Sequence, residues 1–519
     1  MKGQDGSFAL RRRLADAPSS PQDLVDLGLA AFRGREDGAA SWLGRAAATV
    51  EDSAVQFAYA VATAENRNAR RALKRALTLE PTYSPAWVER ASRDPETAVR
   101  SLQRAMTIDP TDIGLAVSLA AVLLDRREVA GARTILEAVL AADRERASAW
   151  INRGRVAVEE DDWPYGLVCA RRAVVLAPAM FEGWLNIGGI FEERGDRDAA
   201  VSASARAVVI EPRHPKARWN RCLTRLGQGD WRKGFADFDV RFLVQQAYPH
   251  TLALPRWDGR TRAAHLLVHD EIGYGDVFNF LRYVPLARAR VDRLTLEVKP
   301  GLPRLLEGYP GIDQVIERGA VPPVEAGYDA YLPMESLPGL FATTVETIPP
   351  PTPYIRPPAA LKAAWVRRLA DCHRPRIGLC WAGNPGSGFD QKRSCRLSDL
   401  QPILAVEGLS FVSLQKAPEP ILAPGLLSVG DQFVDFADTA AAISELDLVI
   451  SVETSVAHLA GAMGQALWIL LAPNPAWRWL RDREDTPWYP GARLIRRKPD
   501  ESWSDVTRKV ADDLRARFA

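Results

Sequence analysis

The chain has 519 residues, enough for roughly three domains at about 150 residues each. Hydrophobic residues make up 47% and charged residues 25%, the composition of a globular protein and not of a disordered or fibrous one. Lys plus Arg number 67 against 65 Asp plus Glu, a net charge of +2, which excludes nucleic-acid binding by bulk charge.

The five cysteines (169, 222, 372, 380 and 395) form no CxxC pair and are odd in number. Neither a disulfide framework nor a zinc module is indicated, and a reducing, cytoplasmic setting fits. The first 19 residues contain RRR but no apolar core after it, so they read as an extension and not a leader. No apolar run reaches the length of about 18 residues that a membrane span needs. Only six His are present and no HExxH occurs, so no metal site is expected.

Residues 20–245 repeat. Pro178 and Pro212 lie 34 apart, as do Trp150 and Trp184, and stepping back by the same interval reaches Arg144 and Pro110. Gly154 follows Trp150 by four, and Gly188 follows Trp184 by four. Gly166 and Ala200 stand where a second helix must approach the first closely, and Cys222, Gly234 and Phe238 fill the equivalent places later. This period and punctuation resemble the tetratricopeptide repeat, a helical hairpin whose apolar face is covered only by its neighbours. Five to six units are expected, with the periodic Trp, Ala and Leu in the core. The concave face of such a solenoid is expected to hold a protein partner; a role in homo-oligomerisation is the alternative.

After about residue 245 the pattern changes. Strands are expected at 265–269, 293–298, 313–317 and 329–334, with helices from about 276 to 290 and around 301–308. TIPPPTPYIRPP (347–358) reads as a stiff linker. Strands at 376–383, 409–415, 446–452 and 466–472 follow, alternating with helices at 398–404, 438–446 and 454–464. The last helix, 501–519, is expected to pack back across the pair. Continuous apolar strands alternating with helices indicate two doubly wound parallel sheets, with ligands in the cleft at their carboxyl ends. The boundaries expected are 1–19, 20–245, 246–355 and 356–519.

Three segments could carry chemistry. Ala382-Gly383-Asn384-Pro385-Gly386-Ser387-Gly388 is Gly-rich and is followed by Lys392 and Arg393, so it could cradle an anion; it lacks the GK[ST] of a Walker loop, and a plain turn is the alternative. Glu453-Thr454-Ser455-Val456-Ala457-His458 begins a helix, whose first turn suits a phosphate, with Thr454 or Ser455 as cap and His458 one turn in. Asp276 opens the first helix of the other sheet, where it could cap or accept a proton, with Glu271 and His269 as rivals.

The second half resembles a bacterial family that joins tetratricopeptide repeats to a glycosyltransferase domain of heptosyltransferase (family 9) type. The matching stretches are PRWDG (255–259), HDEIGYGDVFNFLRY (269–283), GLCWAGNP (378–385), RSCRLSDL (393–400), FVSLQ (411–415), DFADTAAAI (435–443), SVETSVAHLAGAMG (451–464) and WRWLRDREDTPWYP (477–490). The architecture is also similar to flagellin glycosyltransferases.

The resemblance implies an α-solenoid followed by a GT-B fold of two Rossmann-like domains, acceptor in the first and nucleotide-sugar donor in the second, acting by metal-independent, inverting transfer. It implies Asp276 as base, beside Gly275, with Glu271 and Asn279 on the acceptor side. Thr454, Ser455, His458, Gly383, Asn384, Lys392 and Arg393 would hold the donor phosphate. Gln415, Asp438, Thr439 and Glu453 would contact the nucleotide or sugar. Glu453 stands where the family has Asp, and Asn279 where Gln is expected. The implied acceptor is Ser or Thr of a protein, flagellin foremost, with a CMP-linked nonulosonic acid as donor and no cofactor. Alternatives are a glycan- or lipid-directed transferase and an inactive adaptor.

Overall fold

The computed structural model describes residues 20–33, 38–244, 254–271, 273–319, 327–349, 352–384, 390–417 and 419–518, apart from the side chains of Arg197, Gln391 and Lys392. The N-terminal extension and the tip of the Gly-rich loop, residues 385–389, therefore lie outside the described residues. The chain divides into two compact units, Met1–Ile190 and Phe191–Ala519.

The first unit is an array of paired helices. Pro21–Arg33 packs on Ala39–Thr49, Ser53–Ala62 on Asn66–Leu79, Ser84–Arg93 on Ala98–Ile108, Ile113–Asp125 on Val129–Ala142, and Ala147–Glu159 on Trp163–Leu176. That is five complete pairs before the helix Phe181–Glu193 carries the chain across the division. The two earliest pairs, poorly marked in the sequence, are also present as packed helices. Several helices are capped at their amino end by Asp: Asp52 accepts from Ala54 N–H (2.7 Å) and Asp162 from Tyr165 N–H (3.1 Å).

The glycine expectation holds. A Cβ on Gly154 would lie 3.3 Å from the carbonyl of Gly166, so each glycine clears room for the other helix. The tryptophan expectation does not. Trp87, Trp150 and Trp184 are half-buried, and each donates its indole N–H to the carbonyl six residues earlier: Pro81 at 2.9 Å, Arg144 at 2.8 Å and Pro178 at 3.1 Å. The 34-residue spacing thus marks a turn-fixing bond. The core proper is small and aliphatic, as in Leu102, Ala105, Ala120, Ala132 and Leu136.

The second unit begins with the last repeats, Arg197–Ile210 and the pair Pro215–Gly227 and Trp231–Asp237, and ends with two parallel sheets. The first sheet has strands β1 (His265–His269), β2 (Arg293–Val298), β3 (Gln314–Glu317) and β4 (Ala330–Pro333), in the order β3-β2-β1-β4. The second has β5 (Arg376–Cys380), β6 (Ser410–Ser413), β7 (Leu426–Ser428), β8 (Leu448–Val452), β9 (Leu467–Leu471) and β10 (Ala492–Arg496), in the order β10-β9-β8-β5-β6-β7. Strands β5, β8 and β9 are buried along their whole length, as expected of a sheet covered on both faces.

Helices α1 (Tyr274–Phe280), α2 (Ala359–Arg368), α3 (Phe436–Ile443), α4 (Ser455–Ala462) and α5 (Trp503–Phe518) pack around the sheets. The expected helix 276–290 stops at Phe280 and resumes at Val284, because Pro285 has no N–H to continue it. Pro402 breaks 398–404 in the same way. Helix α5 does not span both sheets: Val506, Val510, Ala511 and Leu514 join a cluster built from the second sheet alone. Nor is 347–358 a free spacer. Tyr354 N–H donates to the Ala462 carbonyl (2.9 Å), and the Tyr354 hydroxyl donates to the Phe278 carbonyl (2.8 Å). No helix among the described residues is long and apolar enough to cross a membrane.

Candidate functional site

In a doubly wound sheet the two strands that leave in opposite directions open a crevice at their carboxyl ends. In the first sheet these are β1 and β4; in the second they are β5 and β8. Residues 270–276 follow β1, and Met334–Ser336 follows β4. Residues 381–384 follow β5, and Glu453 to His458 follow β8. Three of the sequence candidates' segments therefore start from a switch point.

The two switch points meet through α1 and α4. A Cβ on Gly275 would lie 2.6 Å from Cδ2 of His458, so only glycine allows this approach. His458 is buried, stacks on Trp479 (4.9 Å, 26°), and its Nδ1 pairs with the Tyr489 hydroxyl at 2.9 Å. That hydroxyl donates to Oδ1 of Asn279 (3.2 Å). Burial, then the guanidiniums of Arg478, Arg393 and Arg282, hold the imidazole well below its usual range. His458 is a neutral ring in an electropositive surround.

Thr454 occupies the cap position of α4, yet its hydroxyl does not cap. It pairs with Ser451 Oγ at 3.0 Å and lies 3.7 Å from Cys380 Sγ. With no side-chain cap, the first turn of α4 keeps its positive end unquenched. Ser455 is half-buried at that end.

Around β5, the Gln415 side chain accepts from Ala382 N–H (3.0 Å). Gly383 N–H donates to Ser394 Oγ (3.1 Å), and a Cβ there would lie 2.6 Å from Nη2 of Arg393. Asp390 accepts from Arg393 and from Ser394. Asn384 is exposed, and the Lys392 side chain lies outside the described residues. Asp438 and Thr439 are placed differently. The Asp438 carboxylate is committed to Arg304 (2.5 Å), Trp365 Nε1–H (3.2 Å) and Val434 N–H (3.2 Å), and Thr439 Oγ1 donates to the Asp435 carbonyl. These bonds tie α3 to the first sheet's side.

Asp276 accepts from Gly273 N–H at 3.1 Å and is paired with Arg478. Sequence reasoning did not single out Arg478. It sits in the 3-10 turn Trp477–Trp479, which has no periodic signature, 202 residues from its partner. Glu453 helps place that turn by accepting from Ala476 N–H (3.3 Å).

Glu271 is fully enclosed with Arg241, which donates to it through Nε (3.2 Å) and Nη2 (2.6 Å). Burial pushes the Glu271 carboxyl up and Arg241 opposes it. Arg241 also donates to Ser336 Oγ (2.8 Å) and Asp239 (2.9 Å). Glu271 is thus a brace between the end of the helical array and the tip of β1. His269, the other rival to Asp276, is buried with Nδ1 3.0 Å from the Asp270 carbonyl oxygen.

Glu335, next to Ser336, was also missed. It is 2% exposed, and its Oε1 has no hydrogen-bond partner. Burial, then the Asp276 and Glu271 carboxylates, push it up to about 8. Lys299 is half-enclosed nearby and is lowered by burial, against the pull of Asp276, Glu335 and Glu271. Among the described residues no three His, Cys, Asp or Glu side chains converge as metal ligands.

Residues 89–152 match the tetratricopeptide repeat family. The sequence is 26% identical to Protein FlbA of Caulobacter vibrioides over 493 residues, covering 87% of this chain and 82% of that protein. Among solved structures, yeast Tom70 is similar at 13% identity and a TM-score of 0.39, over 47% of this chain and about half (55%) of its own. The C-terminal part of a tetratricopeptide-repeat-containing protein of Cytophaga hutchinsonii is similar at 15% identity and a TM-score of 0.32, over 41% of this chain and 93% of that one. Residues 89–152 thus carry the tetratricopeptide repeat within a longer array of helix pairs, and the second half is a parallel-sheet α/β structure.

Proposed function

We propose that this protein is a glycosyltransferase of GT-B type, with two Rossmann-like lobes and a repeat array that grips a protein acceptor. The observation that carries the reading is the approach of Gly275 to His458, which sets the switch points of two sheets against each other. The donor's phosphate lies at the amino end of α4 beside Thr454, Ser455 and His458, with Gly383, Asn384 and Arg393 at its flank. Arg478 exchanges Asp276 for that phosphate on binding. Gln415 and Glu453 support the loops around the donor.

The reaction is a single displacement with inversion. The acceptor hydroxyl oxygen attacks the anomeric carbon, its proton passes to Asp276, and the bond to the phosphate oxygen breaks with its electron pair leaving on the phosphate. The guanidiniums and the helix end stabilise that charge, so the protein supplies the potential a metal would otherwise give. The acceptor is Ser or Thr of a protein, flagellin being the best candidate, and the donor a CMP-linked nonulosonic acid. The likeness to Protein FlbA spans both halves, which favours one working unit over two chance neighbours.

Calorimetric titration with CMP, UDP, GDP and ADP, followed by a mass-shift assay on flagellin, tests this. Binding of one nucleotide and a sugar-sized mass gain are expected. Absence of binding by all four overturns the transferase and leaves an adaptor.

A further inference from the structure

Glu335 combines three properties that rarely coincide. It stands at a sheet switch point, it is enclosed to 2% exposure, and it keeps one oxygen without a partner. A buried acceptor left unmade costs stability, so such an atom usually marks a place that something else fills. The groups around it are otherwise committed. Glu271 is locked to Arg241, and Asp276 to Gly273 N–H and Arg478. Ser336 Oγ bonds Asp239, Arg241 and Arg256. Arg478 also keeps a buried Nε–H without a partner.

We propose that Glu335 is a positioning residue for the acceptor: its free Oε1 accepts a hydrogen bond from the group that bears the reacting hydroxyl and so turns that hydroxyl toward Asp276. This rests on the glycosyltransferase reading. Being neutral at pH 7, the Glu335 carboxyl offers an oxygen without repelling the neighbouring Asp276 carboxylate. The complementary ligand is a hydrogen-bond donor, which a peptide backbone N–H next to a Ser or Thr supplies.

The test is transfer to purified flagellin, with a panel of CMP-, UDP-, GDP- and ADP-linked sugars, by wild type, Glu335→Met and Glu335→Gln. Glu335→Met should raise the acceptor KM about tenfold, the worth of one buried hydrogen bond, with nucleotide affinity by calorimetry unchanged. Glu335→Gln keeps an oxygen in place and should restore KM to within about twofold of wild type. An unchanged acceptor KM in Glu335→Met, or a parallel loss of nucleotide affinity, overturns the positioning role while the transferase stands. A wild-type protein that binds no nucleotide and transfers nothing overturns both.

Discussion

Gly275 and His458, 183 positions apart (458 − 275), touch so closely that a single methyl group would fall 2.6 Å from the imidazole. The contact joins α1 to α4 and fixes how far the two switch points stand from each other.

Gly275→Ala should therefore cost about 1–3 kcal/mol through overpacking. A lower urea midpoint with an unchanged slope would show it. Nucleotide affinity should fall too, since the added methyl displaces His458. A variant as stable as wild type would mean that α1 and α4 can part at no cost.

Asp276→Asn keeps the shape of the side chain and removes its charge. Transfer should drop about 10²–10⁴-fold, the range of general-base contributions. Nucleotide affinity should hold or rise, because Arg478 is released for the phosphate. Equal transfer in a mass-shift assay removes Asp276 from the role of base.

The carboxyl of Glu335 titrates near 8 in the folded chain against an ordinary value of 4.5. The folded state thus holds a proton that the unfolded state has lost between those values, and stability falls as pH rises across that window. Glu335→Gln removes the dependence. Its melting temperature relative to wild type should show little gain at pH 4 and a growing gain up to pH 8. A constant offset across that range would mean that Glu335 is not titrating there.

Arg241→Met leaves the Glu271 carboxylate enclosed without its partner, a change that costs about 3–5 kcal/mol. Chemical denaturation measures it. Glu271→Gln with Arg241→Met should recover much of the loss, and failure to do so would mean that Arg241 matters through Ser336 and Asp239.

Much of this was legible in sequence because it rests on short-range pattern. HLLVH and RLTLEV are strands with the expected bounds, β1 and β2: the first has a continuous apolar centre and the second alternates polar with apolar residues, and both are short-range patterns. Strands β7 and β10 were missed: one has three residues, and the other, ARLIR, is a short edge strand with arginine at two of its five positions. Helix α2 was missed beside its proline-rich neighbour, where local composition speaks for a linker. The site divides the same way. Gly275, Asp276, Thr454 and His458 stand next to strand ends and can be found by position. Arg478 and Glu335 enter through tertiary contacts alone. For Glu335 one signal existed, a carboxylate two residues after the short strand β4.

Trp231, from the final helical hairpin, stacks on Trp488 at 4.8 Å and 22°, with Trp477 set edge-on at 6.2 Å. Phe235 and Phe238 surround the same indole of Trp477. The last hairpin is therefore interior lining of the α/β structure. Anyone wishing to redirect this protein to a new partner by exchanging its repeats would have to splice upstream of Pro215; a graft placed at residue 245 would carry away the wall against which the second half folds.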